Sequence, residues 1–515
     1  MTLQERVSKL VRYCGQYKGH GYMMDERNQD SDFNIELTEE KSILMRIDDL
    51  RVILMTGEAG DGKSRILRNI NSILKEHGFT NPCSDFSALT KEEKTELICQ
   101  LKEVLAGRDT SKLVISANVG VFTQAILEQD IKIMEELTRE RGDVFICNFE
   151  DRNLADRKED FGNIVRKFIY YDEDCEKQDC PCYKTCVYRD NIQKLLSESG
   201  MEAIRTICNA IYLTGGHVTF RELLSLLAYT VTFGQDCEDR IDYLNGEGTV
   251  EKKSYYHIFD EDDDILLSKV SRMDPARKRV SYPESIHTKE EYQAYVRKLF
   301  FDQGQNSYGM LAMDYLTEFY EVLYYMNQPP YHYDTIEDRK SILQRLKRGI
   351  SKMSSRGKSD TGLVVTDTPA IFDNKIRTEF LVMQDMSLIW HRYDLKIKSK
   401  ISPPKRLWNK FYLSYLTGES EKKLISLLID YRQFRFLLMC EEDYFMNRNE
   451  STIEEYAVNT FYRKILQENN QAYDSIVIRF DEKSNELCDF SLTVHNQQNI
   501  FTGESKRSIR IRKED

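Results

Sequence analysis

A glycine-rich octapeptide, GEAGDGKS at residues 57–64, constrains the fold of this chain more than any other feature. It follows the apolar run RVILMT (51–56) and leads into SRILRNINSILKEHG (64–78), where apolar residues recur at helical spacing. In the pattern G-x-x-x-x-G-K-[ST], glycines let successive backbone N–H groups turn inward around phosphate oxygens at the positive end of the next helix. A strand, this loop and a helix in that order predict an α/β fold with a phosphate-binding site.

The individual loop residues have distinct expected roles. Lys63 is predicted to bridge the β- and γ-phosphates of ATP, and the hydroxyl of Ser64 to bind Mg²⁺. The other positions are expected to contact the phosphates mainly through their backbone. The predicted nucleotide-binding residues are Gly57, Glu58, Ala59, Gly60, Asp61, Gly62, Lys63, Ser64 and Arg65.

Two further apolar runs, KLVISAN (112–118) and DVFICNFED (143–151), are typical of buried strands, and helical patterns separate the three strands along the chain. Alternation of short apolar strands with helices implies right-handed crossovers and a parallel sheet that is covered on both faces. We therefore predict a P-loop NTPase core at residues 46–170, preceded by a helical leader at residues 1–45.

Hydrolysis also needs an acid for Mg²⁺ and a group that orients water, and two candidates compete for the acid. Asp85, in PCSDFS, follows the loop helix at a plausible distance, whereas Glu150 and Asp151 end the better formed strand. We favour an order in which Asp85 is the acid and binds Mg²⁺ with Ser64, so that Asn118 takes the position of a polar sensor near the γ-phosphate. The alternatives are that Asp85 caps the next helix and that Glu150 and Asp151 form a solvated strand end.

Two arginines are candidates for contacting the γ-phosphate. Arg152 directly follows the last of the three strands; it is expected either to approach a phosphate, in its own or a neighbouring subunit, or to form an ordinary surface salt bridge. Arg221 lies in the first turn of the helix predicted from HVTFRELL, where the lids of many ATPases present a sensor arginine. Thr219 and Glu222 there predict a T-x-x-E capping box, which is compatible with the sensor role. His217 is interpreted as structural.

Four cysteines lie within twelve residues, in the pattern C-x₄-C-x-C-x₃-C. Four thiolates can surround Zn²⁺ tetrahedrally, so Cys175, Cys180, Cys182 and Cys186 are predicted to form a structural zinc site. An iron–sulfur cluster and an unmetallated or partly disulfide-bonded cluster stay open as alternatives, because the spacing differs from that of zinc ribbons. Zinc here would brace the junction between the core and the lid.

The rest of the chain divides into regions with different residue patterns. Residues 171–245 are predicted to form the cysteine cluster and a helical lid, and residues 246–360 a further helical region. From residue 361 the segments GLVVTDTPAIF, EFLVMQDMSLIW and YDSIVIRFDEK show strand-like alternation, which favours an α+β region at 361–515.

The formal net charge of −12 indicates that the molecule as a whole does not attract nucleic acid, so any such contact depends on local basic patches. Two basic stretches are candidates for DNA contact. One is 338–358, which contains Arg345, Lys347 and Arg348, and the other is 396–410, which contains a tryptophan. Cations near an aromatic ring can hold a phosphate backbone and stack a base. The alternative is that both stretches are solvated helix faces that balance nearby acids.

No apolar run reaches the length of a signal peptide or of a membrane span. The composition, 41% hydrophobic and 31% charged, is that of an ordinary folded protein. We therefore expect a soluble, cytoplasmic protein without a membrane partner. In that compartment the cysteines outside the cluster are interpreted as reduced core thiols.

Several short motifs together resemble one family. GEAGDGKS, ISANVGVF, FICNFEDR, the cysteine cluster leading into RDN, HVTFRELL and the downstream MDP are similar to AAA-like P-loop ATPases of bacterial phage-defence systems, and most to the DptF family of DNA phosphorothioation-dependent restriction proteins. The likeness rests on recognisable motifs at residues 45–300. Beyond residue 300 only the general character of the sequence is similar. It implies an AAA-like core with a parallel sheet, followed by the helical lid and the α+β region. Val119 departs from the family, which tends to have an acidic residue after the sensor-like Asn118.

The resemblance also implies a function. The chain would bind and hydrolyse ATP as a motor or switch, in a homo- or hetero-oligomer with other defence proteins, against DNA that lacks the host's sulfur mark. Because the sequence has no nuclease constellation, DNA cleavage would belong to a partner. The alternative is a signalling NTPase of the STAND kind, which holds nucleotide as a conformational latch and oligomerises when it senses a trigger. The large helical and C-terminal regions disfavour a P-loop kinase.

Overall fold

The structure is a computed structural model. It describes residues 1–14, 37–139, 141–149, 152–175, 180, 182–245, 253–260, 264–304, 307–326, 337–354, 363–366, 376–382, 389–392, 409–417, 423–442, 452–468, 475–481, 487–498 and 505–513. The chain divides into two compact units. One comprises residues 1–212, 216–313 and 394–406, and the other comprises residues 213–215, 314–393 and 407–515.

A small parallel sheet forms the centre of the first unit. Its strands are β1 (Val52–Thr56), β2 (Leu113–Ala117) and β3 (Val144–Asn148), in the spatial order β2-β1-β3. Both neighbours run parallel to β1, and Thr56 lies opposite Ala117 on one side and Asn148 on the other. The strands are buried almost throughout, as expected for a sheet covered on both faces. A parallel sheet among helices agrees with the predicted α/β core.

The segment around Cys83 adds to the outer edge of β2. Cys83 pairs in parallel with Ile115, and its N–H donates to the carbonyl of Val114 at 2.8 Å. The pairing is limited to this single bridge, because the chain turns at once into a short 3-10 helix at Phe86–Ala88. Across the sheet the order is therefore Cys83, β2, β1, β3.

Helices precede and follow these strands along the chain. In chain order they are α1 (Leu3–Cys14), α2 (Thr38–Leu44), α3 (Lys63–Glu76), α4 (Lys91–Leu105), α5 (Val119–Gln129), α6 (Lys132–Thr138), α7 (Lys158–Ile169), α8 (Val187–Leu196), α9 (Glu198–Leu213), α10 (Phe220–Thr232), α11 (Cys237–Asn245), α12 (Ile265–Arg272) and α13 (Lys289–Gln303). Capping boxes begin three of them, with Thr90, Thr219 and Thr288 as the N-cap residues. Each cap satisfies backbone N–H groups that have no partner inside the helix.

One face of the sheet packs against α4, α5 and α6. Alternate strand residues point to this face, among them Leu54, Ile115 and Ile146, and they meet buried side chains such as Leu101 and Ile126. Full burial of each such side chain stabilises the fold by about 1.5–3 kcal/mol. Burial of these apolar side chains thus holds this face of the sheet against the three helices.

The amino-terminal helix packs along α10. The hydroxyl of Ser225 donates to the carbonyl of Tyr13 at 3.1 Å, and the Cys14 thiol lies 3.3 Å from the hydroxyl of Thr232. All four residues are buried. The leader predicted at residues 1–45 therefore contributes a helix to the packing of the predicted lid.

The second unit combines helices with antiparallel sheets. Its helices are α14 (Leu316–Met326), α15 (Glu337–Ser354), α16 (Tyr431–Glu441) and α17 (Thr452–Glu468). Its strands are β4 (Leu363–Thr366), β5 (Ile376–Val382), β6 (Ile389–Arg392), β7 (Phe411–Thr417), β8 (Lys423–Ile429), β9 (Ser475–Asp481), β10 (Leu487–Gln498) and β11 (Ser505–Lys513). They form one sheet of order β11-β10-β9-β5-β4 and another of order β6-β7-β8. Within the described ranges of the chain, no helix is both long and apolar enough to cross a membrane.

Candidate functional site

The glycine-rich loop joins the carboxyl end of β1 to the first turn of α3. Three of its glycines have positive φ: Gly57 at 154°, Gly60 at 99° and Gly62 at 90°. A Cβ atom on Gly57 would lie 2.5 Å from Oδ2 of Asp61 and 2.7 Å from the Cβ of Phe149. Side chains are therefore excluded here both by backbone conformation and by close packing.

Lys63 is the first residue of α3, and its side chain turns back over the loop. Its Nζ donates to the carbonyl of Gly57 at 2.9 Å and to that of Glu58 at 2.6 Å. Neutral carbonyls thus hold a cation at the N-terminus of the helix, where the helix dipole favours an anion. The hydroxyl-bearing Ser64 beside it is exposed. Both side chains are available at the end of the loop where the sequence predicts phosphate and Mg²⁺.

Asp61 is the most buried group of the loop, with no exposed surface. Its Oδ2 accepts from the N–H of Glu58 at 2.7 Å, and its Oδ1 lies 2.8 Å from Nε2 of His217. Burial opposes ionisation, but the hydrogen bond from His217 and the charges of Arg152, His217 and Lys63 outweigh it and lower the pKa of Asp61. The carboxylate is therefore charged at neutral pH and links the loop to the segment before α10.

Arg152 lies against the inner side of the loop rather than on the surface. Its Nη2 donates to the backbone carbonyl of Asp61 at 2.5 Å, and its guanidinium stacks over the ring of Phe149 at 4.5 Å. Nη1 lies 3.7 Å from the carboxylate of Glu39, and the side chain is only 10% exposed. Among the described residues, Nε and Nη1 have no hydrogen-bond partner. Arg152 thus brings a buried positive charge, with unused donors, to the loop.

The start of α10 lies directly on the loop. The N–H of Arg221 donates to the carbonyl of Gly60 at 3.0 Å, and a Cβ on Gly60 would lie 3.1 Å from the Cβ of Arg221. The predicted capping box is confirmed, because Thr219 and Glu222 exchange hydrogen bonds of 2.7 and 3.2 Å. The side chain of Arg221 is exposed. The cap and a position beside the loop therefore coexist, as the sequence allowed.

Asn118 follows Ala117, whose backbone carbonyl binds the glycine-rich loop. The carbonyl of Ala117 accepts from the N–H of Gly57 at 3.2 Å, which sets the position of Asn118 at the carboxyl end of β2. Its side chain caps α5 by accepting from the N–H of Gly120 at 3.0 Å and that of Val121 at 3.4 Å. Asn118 thus sits on the strand adjacent to β1, with its carboxamide engaged in a helix cap.

Asp85 lies one position further out in the sheet. It follows the bridge at Cys83, and its carboxylate accepts from the N–H of Ser87 at 2.9 Å, which caps the 3-10 helix. The alternative interpretation, in which Asp85 caps the next helix, predicted such a cap. The spatial order places β2 between the Asp85 segment and β1. Glu150 and Asp151, the competing acids, lie outside the described residues.

Three residues near the loop were not among the predicted site residues. Asn148 ends β3, and its Oδ1 accepts from the hydroxyl of Thr56 at 3.3 Å. A polar residue at the carboxyl end of an apolar strand was the available clue. Glu39 and Phe149 contact Arg152, and nothing local in the sequence marks them for that role.

The predicted zinc residues are all free thiols. Cys182 and Cys186 are buried, and Cys175 and Cys180 are half-buried. Within the part of the chain that the structure describes, no group of three or more His, Cys, Asp or Glu side chains is arranged to hold a metal. The assignment of zinc to these four residues stays a prediction.

Ion pairs neutralise part of the first basic stretch. Arg345 pairs with Glu441 at 3.0 Å and with Glu442 at 2.6 Å, and Arg348 pairs with Glu441 at 3.1 Å. Burial lowers the pKa of Lys347. These contacts join α15 to α16, which is the structural role that the alternative interpretation gave to this stretch. Of the second stretch, residues 396–408 lie outside the described residues.

The chain was also compared with known proteins. No family model, no curated protein and no solved structure matches it.

Proposed function

We propose that residues 57–64 bind the phosphates of ATP with Mg²⁺, and that the chain hydrolyses this nucleotide. One observation carries the proposal: a loop with three glycines at positive φ joins the central strand of a parallel sheet to a helix that begins with Lys63. Ligands of open parallel sheets bind at the carboxyl ends of the strands, and helix N-termini favour anions. Both conditions meet at this loop.

The residues present fit an anion that carries a divalent cation. Glycines at Gly57, Gly60 and Gly62 leave the backbone open to close approach, and the exposed hydroxyl of Ser64 is a suitable Mg²⁺ ligand. When bound, Mg²⁺ would neutralise charge on the β- and γ-phosphates. The acid partner of Ser64 would be Asp85, as the sequence favours, or Glu150.

The chain's own groups would act as follows. Lys63 would exchange its two carbonyl acceptors for phosphate oxygens, which are stronger acceptors for an ammonium group. Asn118 would orient the attacking water after release from its cap on α5, and Arg221 would contact the γ-phosphate from the start of α10. Arg152, with donors unused among the described residues, would stabilise the loop or a phosphate oxygen.

Lys63→Ala tests this site. We expect ATP binding to weaken and turnover to fall on the order of 100-fold or more, because a positioned charge on the transferred phosphate is lost. Lys75→Ala is the matched control, since Lys75 lies in the last turn of the same helix and is exposed. Unchanged circular dichroism would show that both variants fold. Hydrolysis at the wild-type rate in Lys63→Ala would reject the site.

We place this activity in bacterial defence against foreign DNA, with partner proteins that carry the nuclease. The support is the resemblance of the motifs at residues 45–300 to phage-defence ATPases. Turnover measured with unmodified and with phosphorothioated DNA tests it, and stimulation by unmodified DNA alone is the expected result. If neither DNA changes the rate of ATP turnover, the result would argue against a role of this ATPase in acting on DNA.

A second candidate, a nucleotide-dependent switch of the STAND kind, is favoured by a different observation. The side chains of Asp85 and Asn118 are both engaged as helix caps, and each cap would have to open before hydrolysis. A switch needs only slow turnover. Trigger-dependent assembly with turnover unaffected by DNA would support it over the first candidate.

A further inference from the structure

Two consecutive carbonyls of the glycine-rich loop accept hydrogen bonds from distant parts of the chain. The carbonyl of Gly60 accepts from the N–H of Arg221 at 3.0 Å. The carbonyl of Asp61 accepts from Nη2 of Arg152 at 2.5 Å. The first donor is a backbone group, whereas the second belongs to a charged side chain. Hydrogen bonds from a charged donor are roughly twice as strong as those between neutral groups, so the Asp61 carbonyl is the more firmly held of the two.

The bond from Arg152 fixes the orientation of the peptide unit between Asp61 and Gly62. In a trans peptide the C=O and N–H groups point in opposite directions, so the N–H of Gly62 points away from Arg152. Gly62 is the N-cap residue of α3, and the N–H groups of the first turn that follows have no acceptor inside the helix. The N–H of Gly62 is thus one more donor for an anion at the start of α3.

Without the bond from Arg152, this peptide unit could rotate. Its orientation depends on ψ of Asp61 and φ of Gly62, and Gly62 has a φ of 90°. Because glycine populates both signs of φ readily, the opposite orientation is accessible to the chain. In that orientation a carbonyl oxygen would take the place of the N–H and would repel a phosphate.

The guanidinium of Arg152 is itself held by its neighbours. Cζ lies over the ring of Phe149 at 4.5 Å, and Nη1 lies 3.7 Å from Oε2 of Glu39. The second distance is that of an ion pair and is too long for a hydrogen bond, so Glu39 acts on Arg152 through its charge. Both side chains are only 10% exposed, and solvent ions screen such a pair less than a pair at the surface. Glu39 of α2 thus helps to keep Arg152 against the loop.

We propose that Arg152 is a positioning residue of the nucleotide site: it holds the Asp61–Gly62 peptide with its N–H directed to the phosphates, and Glu39 holds Arg152. This inference rests on the proposed nucleotide site. It assigns Arg152 to the loop and not to the γ-phosphate. In this role Arg152 acts equally on ATP and ADP, because both place phosphates in the loop. A group that contacts the γ-phosphate would act on ATP alone and would change kcat.

Affinities of the full-length protein for ATP and ADP test this role. Arg152→Met removes both the donor and the charge, and we expect the Kd values for ATP and ADP to rise by the same factor, on the order of 10-fold. The KM for ATP should rise with them while kcat changes much less, because the lost interaction supports ground state and transition state alike. Arg205→Met is the matched control, since Nη1 of Arg205 also donates to a backbone carbonyl, that of Ala155, at 3.0 Å. That carbonyl lies outside the loop, so both Kd values should equal those of the wild type.

Three further variants separate the positioning role from a folding defect. Glu39→Gln keeps the shape of the side chain and removes its charge, so both Kd values should rise by a smaller factor than in Arg152→Met. Arg152→Lys restores a cation and a donor without the planar fork, and part of the affinity should return. The double variant Arg152→Met/Glu39→Met replaces the ion pair by apolar side chains, which preserves folding where the single change leaves a buried charge unpaired. Its Kd values should rise as in Arg152→Met.

The outcomes distinguish this inference from the proposed function. Wild-type Kd values in the double variant would overturn the inference alone, as would a fall in kcat with the ADP affinity unchanged, which assigns Arg152 to the γ-phosphate. An equal loss of affinity in Arg205→Met would also overturn it, because the effect would then reflect a general loss of stability. A wild-type protein that binds neither ATP nor ADP would overturn the proposed nucleotide site, and the inference with it.

Discussion

Oδ1 of Asp61 lies 2.8 Å from Nε2 of His217, and this pair joins the glycine-rich loop to the segment before α10. The side chain of Asp61 has no exposed surface, and that of His217 is 14% exposed. The N–H of Arg221 binds the carbonyl of Gly60 beside it. A change in the loop, such as the proposed nucleotide would cause, therefore acts on α10 through both contacts.

Replacing Asp61 by Asn should break the buried network. The variant leaves Arg152 without a counter-charge in the loop, so we expect the free energy of unfolding to fall by about 3 kcal/mol. ATP affinity should fall as well, because asparagine has a single acceptor oxygen and cannot keep the hydrogen bonds to both the N–H of Glu58 and His217. Denaturant unfolding and nucleotide titration measure the two effects.

An exposed pair provides the control for that variant. Asp48 pairs with His77 at 3.2 Å, and its side chain is 87% exposed. Asp48→Asn should therefore cost less than about 1 kcal/mol and leave ATP affinity unchanged. Equal losses in the two variants would show that burial of the Asp61–His217 pair has no special importance.

Gly57→Ala should disable the loop. The new Cβ would meet Oδ2 of Asp61 and the Cβ of Phe149 at a backbone φ of 154°, so we expect a loss of about 3 kcal/mol in stability and weakened ATP binding. Gly107→Ala is the matched control: its φ of 74° is also positive, but no atom lies within 4 Å of its Cβ. It should cost about 1–2 kcal/mol from backbone strain alone. Equal stabilities for the two variants would contradict the role of close packing.

The cap of α10 should contribute to both stability and nucleotide binding. Thr219→Ala removes the hydrogen bond to the N–H of Glu222 and should cost about 1 kcal/mol. Thr288→Ala removes the equivalent cap from α13 and should cost a similar amount. Since Thr219 also approaches Gly60, the KM for ATP should rise in that variant alone. A KM that rises equally in both would indicate a general effect of lost stability.

The ion pairs of Arg297 predict an acid-sensitive contribution to stability. Burial opposes ionisation of Asp260, but hydrogen bonds from His257 and Arg297 outweigh it and lower the pKa of Asp260 to about 2, from 3.8. This contribution is complete above pH 3.8 and is lost as the pH falls towards 2. Because the side chain is 37% exposed, we expect about 1 kcal/mol rather than the full value of the shift. Unfolding of the wild type and of Asp260→Asn across this range measures it, and a difference that stays constant with pH would contradict it.

Local patterns predicted much of the candidate site. The glycine-rich loop, its strand and helix and the capping box of Thr219 are each encoded within a few residues, so spacing alone identifies them. The side chains of Asp85 and Asn118 were harder to assign, since either residue type serves equally well as a cap or as a catalytic group.

Long-range contacts were not predictable in this way. Arg152 reaches Glu39 of α2, which lies in no motif, and Asp61 reaches His217, whose motif does not indicate this contact. Such contacts depend on how helices pack over the sheet, and that information is distributed over the whole core.

The packing of α1 on α10 has a practical consequence. Because Tyr13 and Cys14 contact Ser225 and Thr232, a displacement of α10 changes the surroundings of the amino-terminal helix directly. Arg12 lies on the exposed side of that helix. A fluorophore attached there would report on movement of α10 and, through the contact of Arg221 with Gly60, on the glycine-rich loop.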